Sequence, residues 1–183
     1  MKILELPHRA TIEDLYGLDE RAEIVNGQIV LVTGAEFRPT RVAGTIYRSL
    51  WEHETRHGGG YALTEGAVYE VNLPHREAFN PDASWYVGPD TDLRFMRGAP
   101  ALAVEVRSGG DYGLRAEREM RSKRADYFAA GTRVVWDVDL REALVRVYRA
   151  DDPEHHTIYR RGEVAEAEPA VPGWRMPVDE LFD

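Results

Sequence analysis

The chain contains no cysteine, and only Lys2 and Lys123 among its 23 basic residues are lysines. The first absence excludes disulfides, thiolate zinc sites and thiol nucleophiles, and it removes the signal by which a redox compartment is read. Nowhere do about 18 apolar residues run together, as a membrane span requires. The opening Met1-Lys2-Ile3-Leu4-Glu5-Leu6-Pro7 has no apolar stretch of signal-peptide length, so a soluble, cytoplasmic protein without membrane contact is the expectation. Net basic charge is also missing: 23 Lys and Arg face 32 Asp and Glu, for a net −9. That balance argues against tight, non-specific phosphate binding, but it leaves room for an acidic site that holds a metal against a phosphate. The charge is uneven as well. Residues 94–149 hold 12 basic and 8 acidic side chains, +4, so the remainder carries −13.

What is present suits one globular domain over residues 1–183, with 43% apolar and 30% charged residues and no internal repeat or linker-like stretch. Thr11 reads as an N-cap with Asp14 in the capping-box position. Asn26-Gly27, between Ala22–Val25 and Gln28–Val32, is a strong hairpin signal because both residues tolerate positive φ. From Thr40 to His57 the residues Val42, Ala43, Ile46, Tyr47, Leu50 and Trp51 recur at spacings of three and four, the mark of an amphipathic helix. Strands are expected at 61–71, 79–87 and 101–107. The last, Ala101-Leu102-Ala103-Val104-Glu105-Val106-Arg107, is apolar on both faces and so central. A second helix should run from Leu114 to Ala130 and stop at Gly131. Strands at 134–138, 144–148 and around Thr157–Tyr159 follow, then a Pro172-Gly173-Trp174 turn and a last element over Val178–Phe182. This order predicts an α/β (α+β) fold: a mixed sheet with helices on its faces, an N-terminal β-hairpin and extra C-terminal strands.

Two carboxylates sit where a charge is costly. Glu105 interrupts the most apolar strand, and a buried carboxylate needs a metal, a partner or a raised pKa. Asp82 follows Pro81 at the start of a neighbouring strand. Together they would make an oxygen-donor site for magnesium or manganese. Ala116, Met120, Lys123 and Tyr127 share one helical stripe, so Lys123 stands among small and apolar residues rather than on a solvated face. A metal, two carboxylates and a lysine are the parts needed to activate water and stabilise charge on a phosphate. Blander readings stand beside this one: Asp82 as a turn acceptor, Glu105 paired with Arg107, and Lys123 paired with Glu119 one turn earlier.

Asn80-Pro81-Asp82, then Ala103-Val104-Glu105-Val106-Arg107-Ser108, Asp111, Lys123, Tyr127, Gly131 and Val135-Trp136-Asp137-Val138-Asp139 resemble the Uma-two family of restriction endonuclease-like proteins. Glu23-Ile24-Val25-Asn26-Gly27, Pro172-Gly173-Trp174 and Leu181-Phe182 extend the likeness over nearly the whole chain. The resemblance implies membership of the PD-(D/E)xK nuclease superfamily, with a mixed four-strand core between helices and DNA as substrate. It implies that Asp82, Glu105 and the backbone carbonyl of Val106 hold Mg2+ or Mn2+, and that Lys123 is the catalytic lysine. The usual motif puts lysine two residues after the acid, where this chain has Arg107. A guanidinium cannot act as a base, though it can hold a phosphate, as can Arg115. Glu23 is either a further acidic site residue or a strand charge; Glu65 and Glu70 are weaker candidates. Many relatives carry a histidine near the start of the first long helix, where Pro39-Thr40-Arg41 stands here. A homodimer is expected because cutting both strands of a duplex is easiest with two symmetric sites.

Two rivals remain at this point. A non-catalytic module binding nucleic acid or protein on the same fold needs none of this chemistry. His53-Glu54-Thr55-Arg56-His57 also satisfies H-E-x-x-H, the zinc-peptidase signature. Yet the third ligand position of its longer form is Leu63, and a helix C-terminus explains the histidines without a metal.

Overall fold

The computed structural model describes residues 2–18, 20–31 and 36–183, and for Lys2 the backbone alone. Three strands open the chain, β1 (Lys2–Leu4), β2 (Ala22–Val25) and β3 (Gln28–Leu31), with helix α1 (Ile12–Tyr16) between the first two. The expected end of β3 at Val32 lies outside the described residues. Asn26 (φ 53°) and Gly27 (φ 71°) turn the β2–β3 hairpin in the left-handed region, the geometry its twist requires. Gly27 is needed for a second reason, since a Cβ there would stand 2.6 Å from the Arg9 side chain. At α1 the Thr11 N–H donates to the Asp14 carboxylate at 2.8 Å, as the capping pattern predicts.

Helix α2 (Phe37–His57) begins three residues before the expected Thr40. Pro39 falls within its first turn, where a missing N–H leaves no bond unmade. Strands β4 (Tyr61–Thr64) and β5 (Tyr69–Leu73) replace the single strand expected at 61–71, broken at Gly66, whose φ is +94°. Strand β6 (Arg76–Phe79) escaped the sequence reading, and β7 (Ala83–Tyr86) fills most of 79–87. After β8 (Met96–Arg97) come β9 (Leu102–Val106), α3 (Leu114–Ala129), β10 (Val134–Asp139) and β11 (Leu144–Arg149). The strand expected around Thr157–Tyr159 is longer, β12 (Asp152–Arg160), and β13 (Val164–Glu166), β14 (Arg175–Pro177) and α4 (Asp179–Phe182) close the chain. Helix α3 stops where Gly131 takes φ +106°.

The strands form two six-stranded sheets, ordered β1-β3-β2-β6-β5-β8 and β12-β11-β10-β9-β7-β4, with β13 and β14 as a separate ribbon. Within the second sheet β4-β7-β9-β10 is the expected mixed four-strand core: β9 runs parallel to β10 and antiparallel to β7. Strand alternation then sorts its two faces. Leu102, Val104, Val106, Val134, Trp136 and Val138 pack with Val42, Ala43, Ile46 and Leu50 of α2 and with Trp174 and Met176. Ala103 and Val135, pointing the other way, pack with Tyr127 of α3 and with Tyr69 and Phe79 of the first sheet. Phe79 and Tyr127 stack at 4.1 Å between centroids. Helix α3 therefore joins the two sheets, and the polar residues on this second face of β9 lie between them. Among the described residues no helix is long and apolar enough to cross a membrane.

Candidate active site

Glu105 shares its face of β9 with Ala103 and pairs in register with Asp137 of β10. Asp82 precedes β7 and is tied to β9 twice: its N–H donates to the Val104 carbonyl at 3.0 Å, and its Oδ2 accepts the Val106 N–H at 2.8 Å. It is thus a strand-to-strand acceptor rather than a local turn acceptor. From α3, Lys123 places Nζ 2.9 Å from both Glu105 oxygens, and Tyr127 donates its hydroxyl to Glu105 Oε1 at 2.7 Å. The stripe read from the sequence accordingly brings lysine and tyrosine to one carboxylate. Neither blander pairing forms, because Glu119 takes Arg115 at 2.8 Å and Arg107 turns to other partners.

Of the two readings of Glu23, the strand charge is the one the geometry corrects, because Glu23 joins the cluster. It is buried, and its Oε1 lies 2.8 Å from Lys123 Nζ. Its Oε2 takes Arg76 at 2.7 Å, and Oε1 also accepts the Asn80 N–H at 3.1 Å. Arg76 continues to Asp126 at 2.8 Å, and Asp126 to the half-exposed His75 at 2.6 Å. Arg76, Asp126 and Asn80 were missed as partners of the site. Asp126 stood within reach, three residues after Lys123 and so on the same helical face. Arg76 left no such signal, because its partners are 50 or more positions away.

Arg107 is the second correction. Only 3% of its side chain is exposed; Nε and Nη2 grip Asp137 at 2.7 Å each, and Nη1 meets Glu117. With those donors committed it has none to offer a phosphate. Glu65 lies at the rim, 2.9 Å from Arg21, whereas Glu70 is exposed on β5 and outside the cluster. Arg115 is exposed on the outer face of α3.

The electrostatics separate these carboxylates. Burial pushes the Glu105 carboxyl up to about 7; Lys123 pulls against this, while Asp82 and Glu23 push with it. Burial also raises Asp82, against the Val106 N–H and Lys123. For Glu23 burial acts in the same sense but loses to Lys123 and Arg76, which hold its carboxyl below the ordinary value. Burial alone would favour a neutral Lys123, yet Glu105 and Glu23 outweigh it and keep the ammonium protonated. The outcome is two adjacent carboxylates, Glu105 and Asp82, with fewer fixed donors than their charge calls for.

A family model described as "Uma2: Putative restriction endonuclease" matches residues 9–179. The chain belongs to the Uma-two family. The crystal structure of a "putative nuclease belonging to DUF820" from Anabaena variabilis superposes with a TM-score of 0.75 at 16% identity, covering 94% of this chain and 97% of that one. At that identity the likeness establishes the fold. No curated protein sequence matches the chain.

The donor set of this Uma-two chain fits a hard divalent cation in kind, since it offers carboxylate oxygens that burial and mutual repulsion leave short of positive charge. Among the described residues no three His, Asp or Glu side chains already converge as a metal cage. The H-E-x-x-H match does not assemble. His53 and His57 stack at 4.5 Å, but Glu54 Oε2 accepts the Ala62 N–H at 2.7 Å and serves to hold β4 to α2.

Proposed function

We propose that this chain hydrolyses phosphodiester bonds in DNA with the help of magnesium or manganese. The observation that carries this reading is the pair Asp82 and Glu105, two neighbouring half-buried carboxylates whose nearest shared cation is Lys123. Their side chains, with the Val106 carbonyl, would hold the ion. In an extended strand the N–H and C=O of one residue project from the same edge, and the Val106 N–H already meets Asp82. When bound, the ion supplies Lewis acidity and a water of lowered pKa.

The remaining work belongs to the chain itself. Lys123 stays protonated, so its part is to donate hydrogen bonds to the attacking water and to the charge that develops on the phosphate, not to remove a proton. Tyr127 and Lys123 both donate to Glu105 and fix its rotamer. Glu23 holds Lys123 in place from the opposite side while Arg76 neutralises the excess negative charge. Away from these carboxylates, α3 presents Arg115, Arg118 and Arg121 to solvent, with Arg115 paired to the exposed Glu119 and Arg121 to the exposed Glu154; exposed pairs are weak enough to give way to a polyanion.

The test is nicking of supercoiled plasmid in Mn2+ or Mg2+, with Glu105→Gln beside the wild type and Mn2+ binding to each followed by calorimetry. The expected result is cleavage and stoichiometric binding by the wild type and neither by the variant. A wild type that binds no Mn2+ and leaves the plasmid intact would overturn the reading and favour a binding module on the same fold.

A further inference from the structure

Arg21 and Arg76 reach the carboxylate cluster and Arg107 the neighbouring one, and the three are not equivalent. Arg76 and Arg107 are sealed, with 7% and 3% of their side chains exposed, and each grips two carboxylates. Arg21, directly before β2, keeps 26% of its side chain open. Its Nη1 meets Glu65 at the rim at 2.9 Å, and Nη2 donates to the neutral Asn80 Oδ1 at 3.0 Å. Nη2 also stands 3.7 Å from Asp82 Oδ1, beyond hydrogen-bonding distance. Its Nε is buried and has no acceptor among the described residues. Beside Asp82 this guanidinium therefore has donors that are not fully used where it rests.

Asn80 explains how Arg21 is aimed. Its N–H is fixed by Glu23, and its side-chain oxygen accepts from both the Gly66 N–H and Arg21. The Asn80-Pro81-Asp82 segment thus sets the arginine with one residue and supplies a carboxylate with another. A planar fork beside Asp82 matches the non-bridging oxygens of a phosphate.

We infer that Arg21 is the phosphate-binding arginine of this site, holding the non-bridging oxygens of the phosphodiester presented to Asp82 and Glu105, in the role that Arg107 cannot fill. The inference rests on the nuclease reading above and deepens it. Without substrate, Arg21 leans on Glu65 and Asn80; with substrate, its free donors turn to the phosphate while Asp82 stays with β9.

The experiment measures binding of a fluorescein-labelled DNA duplex by anisotropy across a salt series, with Ca2+ in place of the catalytic ion. Wild type is compared with Arg21→Gln and Arg21→Lys, and Mn2+ binding to each protein alone is measured by calorimetry. Arg21→Gln should weaken duplex binding about tenfold, the loss of one charge-assisted contact, and lower the salt slope by about one. Arg21→Lys should keep the slope but not the full affinity, because an ammonium lacks the fork. Mn2+ affinity should not fall in either variant. A wild-type slope and affinity in Arg21→Gln would overturn the assignment while leaving the nuclease reading intact. Loss of Mn2+ binding in Arg21→Gln would overturn it too, making Arg21 a positioning residue for Asp82. A wild type that binds no duplex but does bind Mn2+ would remove DNA as the substrate, and the assignment with it.

Discussion

Strand β9 carries one charge cluster at Glu105, a second forms at Arg107 directly after the strand, and they are built on opposite terms. Around Arg107, every carboxylate is well supplied with donors. Asp137 takes a bidentate guanidinium, Glu117 shares it, and Asp139 accepts from Arg146, Tyr112 and the backbone N–H groups of Arg141 and Glu142. Burial would raise Asp139, but those donors outweigh it and hold its carboxyl below the usual value. Glu117, led by its bond to Arg107, is lowered as well. Around Glu105 the balance is reversed: one lysine is shared between two glutamates, Asp82 has one firm donor, and both Glu105 and Asp82 are raised. Two residues at the end of β9 therefore separate one cluster that is finished from one that still lacks positive charge. A finished cluster fastens α3 and β10 to the end of β9, whereas the unfinished one is where the proposed ion and phosphate would supply what is lacking.

The comparison breaks first at activity. Glu105→Gln keeps the shape of the side chain and removes its charge, and Lys123→Ala removes the ammonium. If the unfinished cluster is the reaction site, each should lower plasmid nicking by about a thousandfold, the order seen when an electrostatic stabiliser of the transition state is removed. Both proteins should unfold cooperatively, because Glu105, raised to about 7, is only partly charged at neutral pH and Arg76 still serves Glu23. Retention of full nicking by Lys123→Ala would take lysine out of the mechanism.

The next largest effect belongs to the finished cluster. Arg107→Met leaves Asp137 buried without its guanidinium, and removing one partner of a buried pair costs about 3–5 kcal/mol. Urea unfolding monitored by circular dichroism should show that loss. A change below about 1 kcal/mol, the range of exposed pairs, would mean that Arg146, 4.0 Å from Asp137, takes over.

These clusters also show what was legible in the sequence. Asp82, Glu105 and Lys123 could be picked out because each breaks a local rule: an acid after proline, a charge in an apolar strand, a lysine on an apolar stripe that also carries Tyr127. The amphipathic α2, the helix α3 and the central β9 were legible from their periodicity for the same reason. What stayed hidden depends on distant segments. Strand β6 is short, and its Arg76 and Phe79 make sense only against Glu23, Asp126 and Tyr127. Tyr61 to Val71 reads as one strand, and its division between two sheets at Gly66 follows from pairing partners, not from local pattern. Arg107 suggested a phosphate ligand because a guanidinium stands there in place of the motif's usual lysine, while its commitment to Asp137 depends on the parallel pairing of β9 with β10.

pH should pull the two clusters in opposite directions in the metal-free protein. Glu105 has a folded-state pKa raised to about 7 from 4.5. Its contribution to stability is therefore fully present below 4.5 and lost as pH rises through 7. Relative to Glu105→Gln, the wild type should lose up to about 3 kcal/mol between pH 5 and pH 8. Asp139 has a lowered pKa, so its contribution is present above 3.8 and lost as pH falls below that value. Asp139→Asn should accordingly differ from the wild type most at neutral pH and least in acid. Urea midpoints across a pH series measure both, and parallel curves for the two variants would remove the distinction.

The smallest effect is the most discriminating. Tyr127→Phe deletes the hydroxyl that donates to Glu105 but leaves the ring stacked on Phe79. Loss of one hydrogen bond to a carboxylate that Lys123 still holds should cost about 1 kcal/mol in unfolding experiments. With one donor fewer, Glu105 holds its proton more firmly, so Mn2+ should bind less tightly at neutral pH and recover as pH rises. That recovery separates a donor that tunes the carboxylate from one that merely packs. A Tyr127→Phe protein with wild-type Mn2+ affinity at every pH would show that Lys123 alone sets the charge on Glu105.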